Sequence, residues 1–112
     1  MNPVVAVFRK LVGLKYSFFD LAIIQEVETK LFNSIISDYI AKGWDKQYEY
    51  DGVDAWIDHG KVKLAKGSRK LTFEWDNWME GEIYGKKDEI YIIAARYKLV
   101  AKVQPTWFGS DT

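Results

Sequence analysis

The residue types most able to do chemistry in this sequence stand between positions 56 and 84. They are the carboxylates Glu74, Asp76, Glu80 and Glu82, and the aromatic side chains Trp56, Trp78 and Tyr84. Strand alternation places the four carboxylates on one face of a sheet. A three-residue turn between Trp75 and Met79 then sets Glu74 directly across from Glu80. Like charges opposed in this way destabilise a sheet. A chain that keeps them can use them to hold a cation, to share a proton or to meet a basic partner. Solvation is the plainer account, since exposed carboxylates in water are weakly coupled. A cation here would be a hard ion on oxygen ligands, but no EF-hand spacing is present, and no metal or cofactor is expected.

The run Phe73-Glu74-Trp75-Asp76-Asn77-Trp78 puts two Trp within four residues, among acids. Trp and Tyr dominate the energetics of protein interfaces. Trp75 reads as core, whereas Trp56, Trp78 and Tyr84 extend an acidic, aromatic outer face. His59 is the only histidine and precedes Gly60, which is turn chemistry rather than catalysis. Ser17 and Ser68 lie in no nucleophile-elbow context, and no glycine-rich phosphate loop is present.

The elements that must position these residues follow from periodicity. The pattern predicts a first helix from Pro3 to about Val12, capped by Asn2 and ended at Gly13. A second helix of about 25 residues is expected from Ser17, with a capping box at Ser17 and Asp20. Its stripe runs through Ile24, Val27, Leu31 and Ile35, widened by Ile23, Ile36, Tyr39 and Ile40. Gly43 supplies the left-handed stop, and Trp44 folds back on the helix end. From Val53 the period becomes two: Val53, Ala55 and Ile57 are expected to pair back onto Val62 and Leu64 across a His59-Gly60 turn. Gly67-Ser68 then sets Leu71 beside Leu64, Phe73 beside Val62 and Glu74 beside Lys61. Residues 88–103 read as a helix capped by Asp88 and stopped by Pro105, although Tyr91 to Ile93 could form a strand. Trp107 and Phe108 lie in a tail over residues 104–112.

These elements predict one α+β domain over residues 1–112. It has two layers: an antiparallel meander of about four strands, with two or three helices packed on one face. The charge balance of 16 cations against 16 anions argues against nucleic acid as partner. The absence of cysteine excludes disulfides and thiolate chemistry. Residues 1–7 are too short for a secretory signal and no run is long enough to span a bilayer, so no membrane and a cytoplasmic setting are expected.

The favoured function is non-enzymatic: a protein-binding module whose acidic, aromatic sheet face meets a basic partner. Small bacterial immunity and antitoxin proteins offer an analogy, resting on surface character alone. The alternative is a small-ligand site in an aromatic-lined pocket between helix and sheet. An enzyme using a Glu74/Glu80 acid–base pair comes third. The tail aromatics add the expectation of a homodimer.

Overall fold

A computed structural model describes residues 3–52, 55, 57–78 and 80–105. In chain order the elements are α1 (Pro3–Phe18), β1 (Leu21–Val27), α2 (Thr29–Ala41), β2 (Asp45–Glu49), β3 (His59–Lys66), β4 (Arg69–Asp76), β5 (Glu80–Lys86), α3 (Lys87–Tyr97) and β6 (Ala101–Lys102). Among the described residues, six antiparallel strands form one sheet in the order β2-β3-β4-β5-β1-β6. The class is α+β with helices layered on a sheet, as the sequence predicts.

The expected long helix over residues 17–42 is instead three pieces. α1 runs through Gly13 to Phe18, β1 follows, and α2 begins only at Thr29. Ser17 therefore lies in the last turn of α1 and caps nothing. Leu21 to Ile24 is a run of apolar residues that goes to the sheet interior, between β5 and β6. Asp20, between α1 and β1, and Glu26, inside β1, both take positive φ, and the register of β1 shifts between Ile24 and its last residue, Val27. The carboxylate of Glu28 then caps α2, accepting from the backbone N–H groups of Lys30 and Leu31 at 3.1 Å each.

The far end of α2 follows the expected design. Gly43 takes φ 98°, its N–H bonds the Ile40 carbonyl, and the Trp44 N–H reaches back to Tyr39. Trp44 packs edge-on against the Tyr39 ring, centroids 5.4 Å apart.

Of the strand expected over residues 53–57, the described residues Ala55 and Ile57 lie in an isolated bridge and a turn. β3 starts at His59 itself and pairs on one side with β2, so the His59-Gly60 turn does not form. β2 is an edge strand exposed along its length, Asp-Lys-Gln-Tyr-Glu, and carries no apolar alternation to announce it. Ala55 makes one bridge to His59 and Ile57 is exposed, while Val53, Asp54 and Trp56 lie outside the described residues. The β3–β4 hairpin matches the expected register at every named pair: Leu64 with Leu71, Val62 with Phe73, Lys61 with Glu74.

Toward the C-terminus, α3 forms but stops at Tyr97, where Lys98 adopts the left-handed conformation. Asp88 is not its cap; it sits with Glu89 in the first turn, after Lys86. The chain then returns as β6 beside β1, and Trp107 and Phe108 lie outside the described residues.

The core lies between the sheet and the layer of α2 and α3. Phe32, Ile35, Ile90 and Ile93 from the helices meet Ala22, Ile24, Val62, Leu64, Leu71, Phe73 and Ile83 from the strands. α1 lies on the other face. Its Tyr16 is buried, outside this core and within electrostatic reach of Glu74 and Glu82, whose strand neighbours Phe73 and Ile83 point the opposite way. Ile23, paired with Tyr84, is buried on that same second face.

Candidate functional site

On the face opposite the core, β3, β4 and β5 present side chains in rows. His59, Asp76 and Glu80 make one row; Lys61, Glu74 and Glu82 make the next; Lys63, Thr72 and Tyr84 make the third. Glu74 therefore faces Glu82, not Glu80, and Glu80 faces Asp76. The last pair before the turn is Asp76 with Glu80, so the turn begins at Asn77, one position later than expected. Packing on the core side accounts for the shift. This register puts Phe73 beside Ile83 and leaves Gly81 beside Trp75, where the Phe32 ring fills the space that a side chain would need. Because the register moves by two residues, the carboxylates keep their face.

The site residues separate into two groups. Glu74, Glu82 and Tyr84 are half-buried beside α1. The Tyr84 hydroxyl donates to Glu74 Oε1 at 3.1 Å, and Gln25 Nε2 donates to Glu82 Oε2 at 3.0 Å. His59 Nε2 lies 3.8 Å from Glu74 Oε2, and its ring meets Tyr50 edge-on. Thus donors from two strands, β5 and β1, bond the opposed carboxylates, which offsets the repulsion that the sequence advertises. Tyr16, Gln25 and His59 were not legible as members of this cluster. Tyr16 comes from a helix expected to end three residues earlier, and Gln25 from a strand read as helix.

Burial raises the Tyr16 phenol above the ordinary range, and the charges of Glu82 and Glu74 raise it further. For Tyr84 burial again leads, followed by the charge of Glu74 and the hydrogen bond to it. Unfolded tyrosines ionise near about pH 10. The unfolded chain therefore loses these two protons first, and alkali favours unfolding. Their contribution to stability is complete below about pH 10 and declines as pH rises toward the folded values. Phenolate absorbance of the folded protein is expected to show a late-titrating group of tyrosines, diminished in Tyr84→Phe. Coincident ionisation of all seven tyrosines at the ordinary value would contradict the burial described.

The second group is the β4–β5 turn. The Trp78 N–H bonds Asp76 Oδ1 at 2.8 Å. Asn77 is tied twice to Asp58, backbone to carbonyl at 3.2 Å and Nδ2 to Oδ1 at 2.6 Å. These bonds hold Trp78 80% exposed on a fixed loop, with exposed Ile57 next to Asp58 in the chain. Asp76 and Glu80 pair across the strands at its base. Trp56 lies outside the described residues.

No family model matches the chain, and no curated protein or solved structure is significantly similar to it.

A groove of about 400 Å³ opens between α2 and the β2 side of the sheet, lined in part by Thr29, Asn33, Ile36, Ser37 and Trp75. Among the described residues Trp75 is its one aromatic wall, and the indole N–H is already donated to Thr29 Oγ1 at 3.0 Å. Among the described residues, no three acidic or histidine side chains converge as metal ligands would.

Proposed function

We propose that this protein is a non-enzymatic binding module that docks a basic protein partner on the β4–β5 turn, with Trp78 as anchor. The observation that carries the reading is an indole held in solvent by an ordered loop. Exposing so large an apolar surface is unfavourable, while a preorganised turn loses little freedom on binding. Asp58, Asp76 and Glu80 surround the anchor in sequence and pairing, which suits Lys or Arg on the partner. Glu74 and Glu82, held by internal donors, act from behind as charge rather than as contacts. The Glu74/Glu80 acid–base reading is not carried forward, because the register sets those two residues in different rows.

Capture from a lysate of the source organism tests this, comparing wild type with Trp78→Ala and with Asp76→Lys/Glu80→Lys. The captured partner is identified and its affinity then measured at two salt concentrations. Trp78→Ala is expected to weaken binding by about 2 kcal/mol or more, roughly thirtyfold. The charge reversal is expected to slow association and to remove most of the salt dependence. Equal capture by all three proteins would sink the proposal. A second reading, a small-ligand site, draws on the groove beside α2; a ligand that raises the melting temperature and is lost in Asn33→Leu would support it.

A further inference from the structure

We propose that α1 lies in the surface of an anionic membrane, with its solvent-facing apolar stripe turned into the lipid. Val7, Leu11, Leu14 and Phe18 are each more than half exposed, at 60%, 61%, 58% and 82%. Their spacing of four, three and four residues gathers them within about 60° of arc on a helix of 3.6 residues per turn. The buried Tyr16 falls about 170° from the centre of that arc, so the stripe points directly away from the sheet. Lys10 and Lys15, both exposed, fall to either side of it, each about 70° off. At the helix end Phe18 and Phe19 meet edge-on, 4.9 Å apart, and both are exposed.

Charge selects the occupant. The balance of the whole chain conceals a segregated end: residues 1–19 contain Arg9, Lys10 and Lys15 and no Asp or Glu, the first acid being Asp20. A second copy laid stripe to stripe would bring Lys10 and Lys15 of both copies together with no acid to pair them, whereas helix pairs prefer opposite charges along their seam. Anionic headgroups complement both the stripe and its cationic margins. At 1.5 Å per residue α1 is about 24 Å long, short of the ~30 Å hydrocarbon core. No described helix is long and apolar enough to cross a membrane. α1 therefore lies on the bilayer. The expectation of no membrane rested on the missing secretory signal and the missing span, and neither bears on surface binding.

Co-sedimentation of the full chain with vesicles tests the proposal, using pure phosphatidylcholine against equimolar phosphatidylcholine and phosphatidylserine. Wild type is expected to bind the mixed vesicles, to release with added salt and to bind the neutral ones far less. Leu11→Asp/Leu14→Asp is expected to abolish binding, and Lys10→Glu/Lys15→Glu to weaken it about tenfold or more. All four side chains face solvent, so the variants keep the fold, which circular dichroism checks. Trp78→Ala is expected to bind vesicles as wild type does, which separates this proposal from the docking turn. Three outcomes would overturn it: no sedimentation with the anionic vesicles, sedimentation unchanged in Leu11→Asp/Leu14→Asp, or a solution dimer that the same substitutions dissociate.

Discussion

Replacing Phe32 by alanine is expected to destabilise the fold by about 3–5 kcal/mol, a large share of the roughly 5–15 kcal/mol that holds a small domain together. Phe32 is fully buried and meets Phe73 edge-on, centroids 5.9 Å apart. Its ring also lies against Gly81: a Cβ built there would come within 2.3 Å of Phe32 Cδ1. Gly81 has no side chain to fall into the cavity, and the paired strands around it cannot close inward, so little of the void is recovered. Urea unfolding should show a lower midpoint with an unchanged slope. The same contact makes a reciprocal prediction. Gly81→Ala is expected to cost about 1–3 kcal/mol by overpacking, and clearly less in a Phe32→Leu background, because the two sites share one space. Full additivity would show that the close approach is not what Gly81 provides.

Phe32 is also where sequence reading and structure part. The expected stripe of Leu31 and Ile35 leaves Phe32 aside, because it was phased from Ile24 and Val27, which belong to a strand. Between Gly13 and Gly43 there is no glycine or proline to mark the breaks. The left-handed positions between α1 and β1, and at the bulge near the end of β1, are filled by Asp20 and Glu26. Those residues pay a local conformational cost that only the assembled sheet offsets. Where turn chemistry is carried by glycine, as at Gly43 and Gly67-Ser68, the element ends and the pairing register were legible. The edge strand β2 illustrates the opposite limit. Its pairing is made by backbone hydrogen bonds to β3, and its exposed side chains need no pattern.

The site was legible to the same extent. Alternation placed Glu74, Asp76, Glu80, Glu82 and Tyr84 on one face, since a shift of two residues preserves parity. Which carboxylate opposes which depended on Phe32 reaching Gly81, a contact between elements that no local pattern encodes. Gln25, which bonds Glu82, and Tyr16, which is buried near the carboxylates, come from segments far away in sequence.

Trp44→Ala is the second substitution expected to cost about 3–5 kcal/mol, and its consequences should extend to three elements. Trp44 follows the glycine that ends α2 and is 4% exposed. Its ring packs on Tyr39, and the Arg69 guanidinium lies over it, 5.0 Å from the centroid. That guanidinium also makes a two-pronged bond to Glu89 in the first turn of α3, with Nη2 to Oε1 at 2.9 Å. Glu89 is the buried charged residue of the described chain, at 8% exposure. Removing the indole therefore opens a cavity and takes away the surface that orients the partner of a buried carboxylate. Trp44→Phe keeps a ring beneath Arg69 and most of the burial, and is expected to cost about 1 kcal/mol or somewhat more. The decisive comparison is the effect of Arg69→Met in each background. If Trp44 positions the guanidinium, Arg69→Met loses most of its effect once Trp44 is alanine, and hydrogen exchange quickens in the first turn of α3. If Arg69→Met costs the same in both, the ion pair forms without the indole, and Trp44 contributes by burial alone.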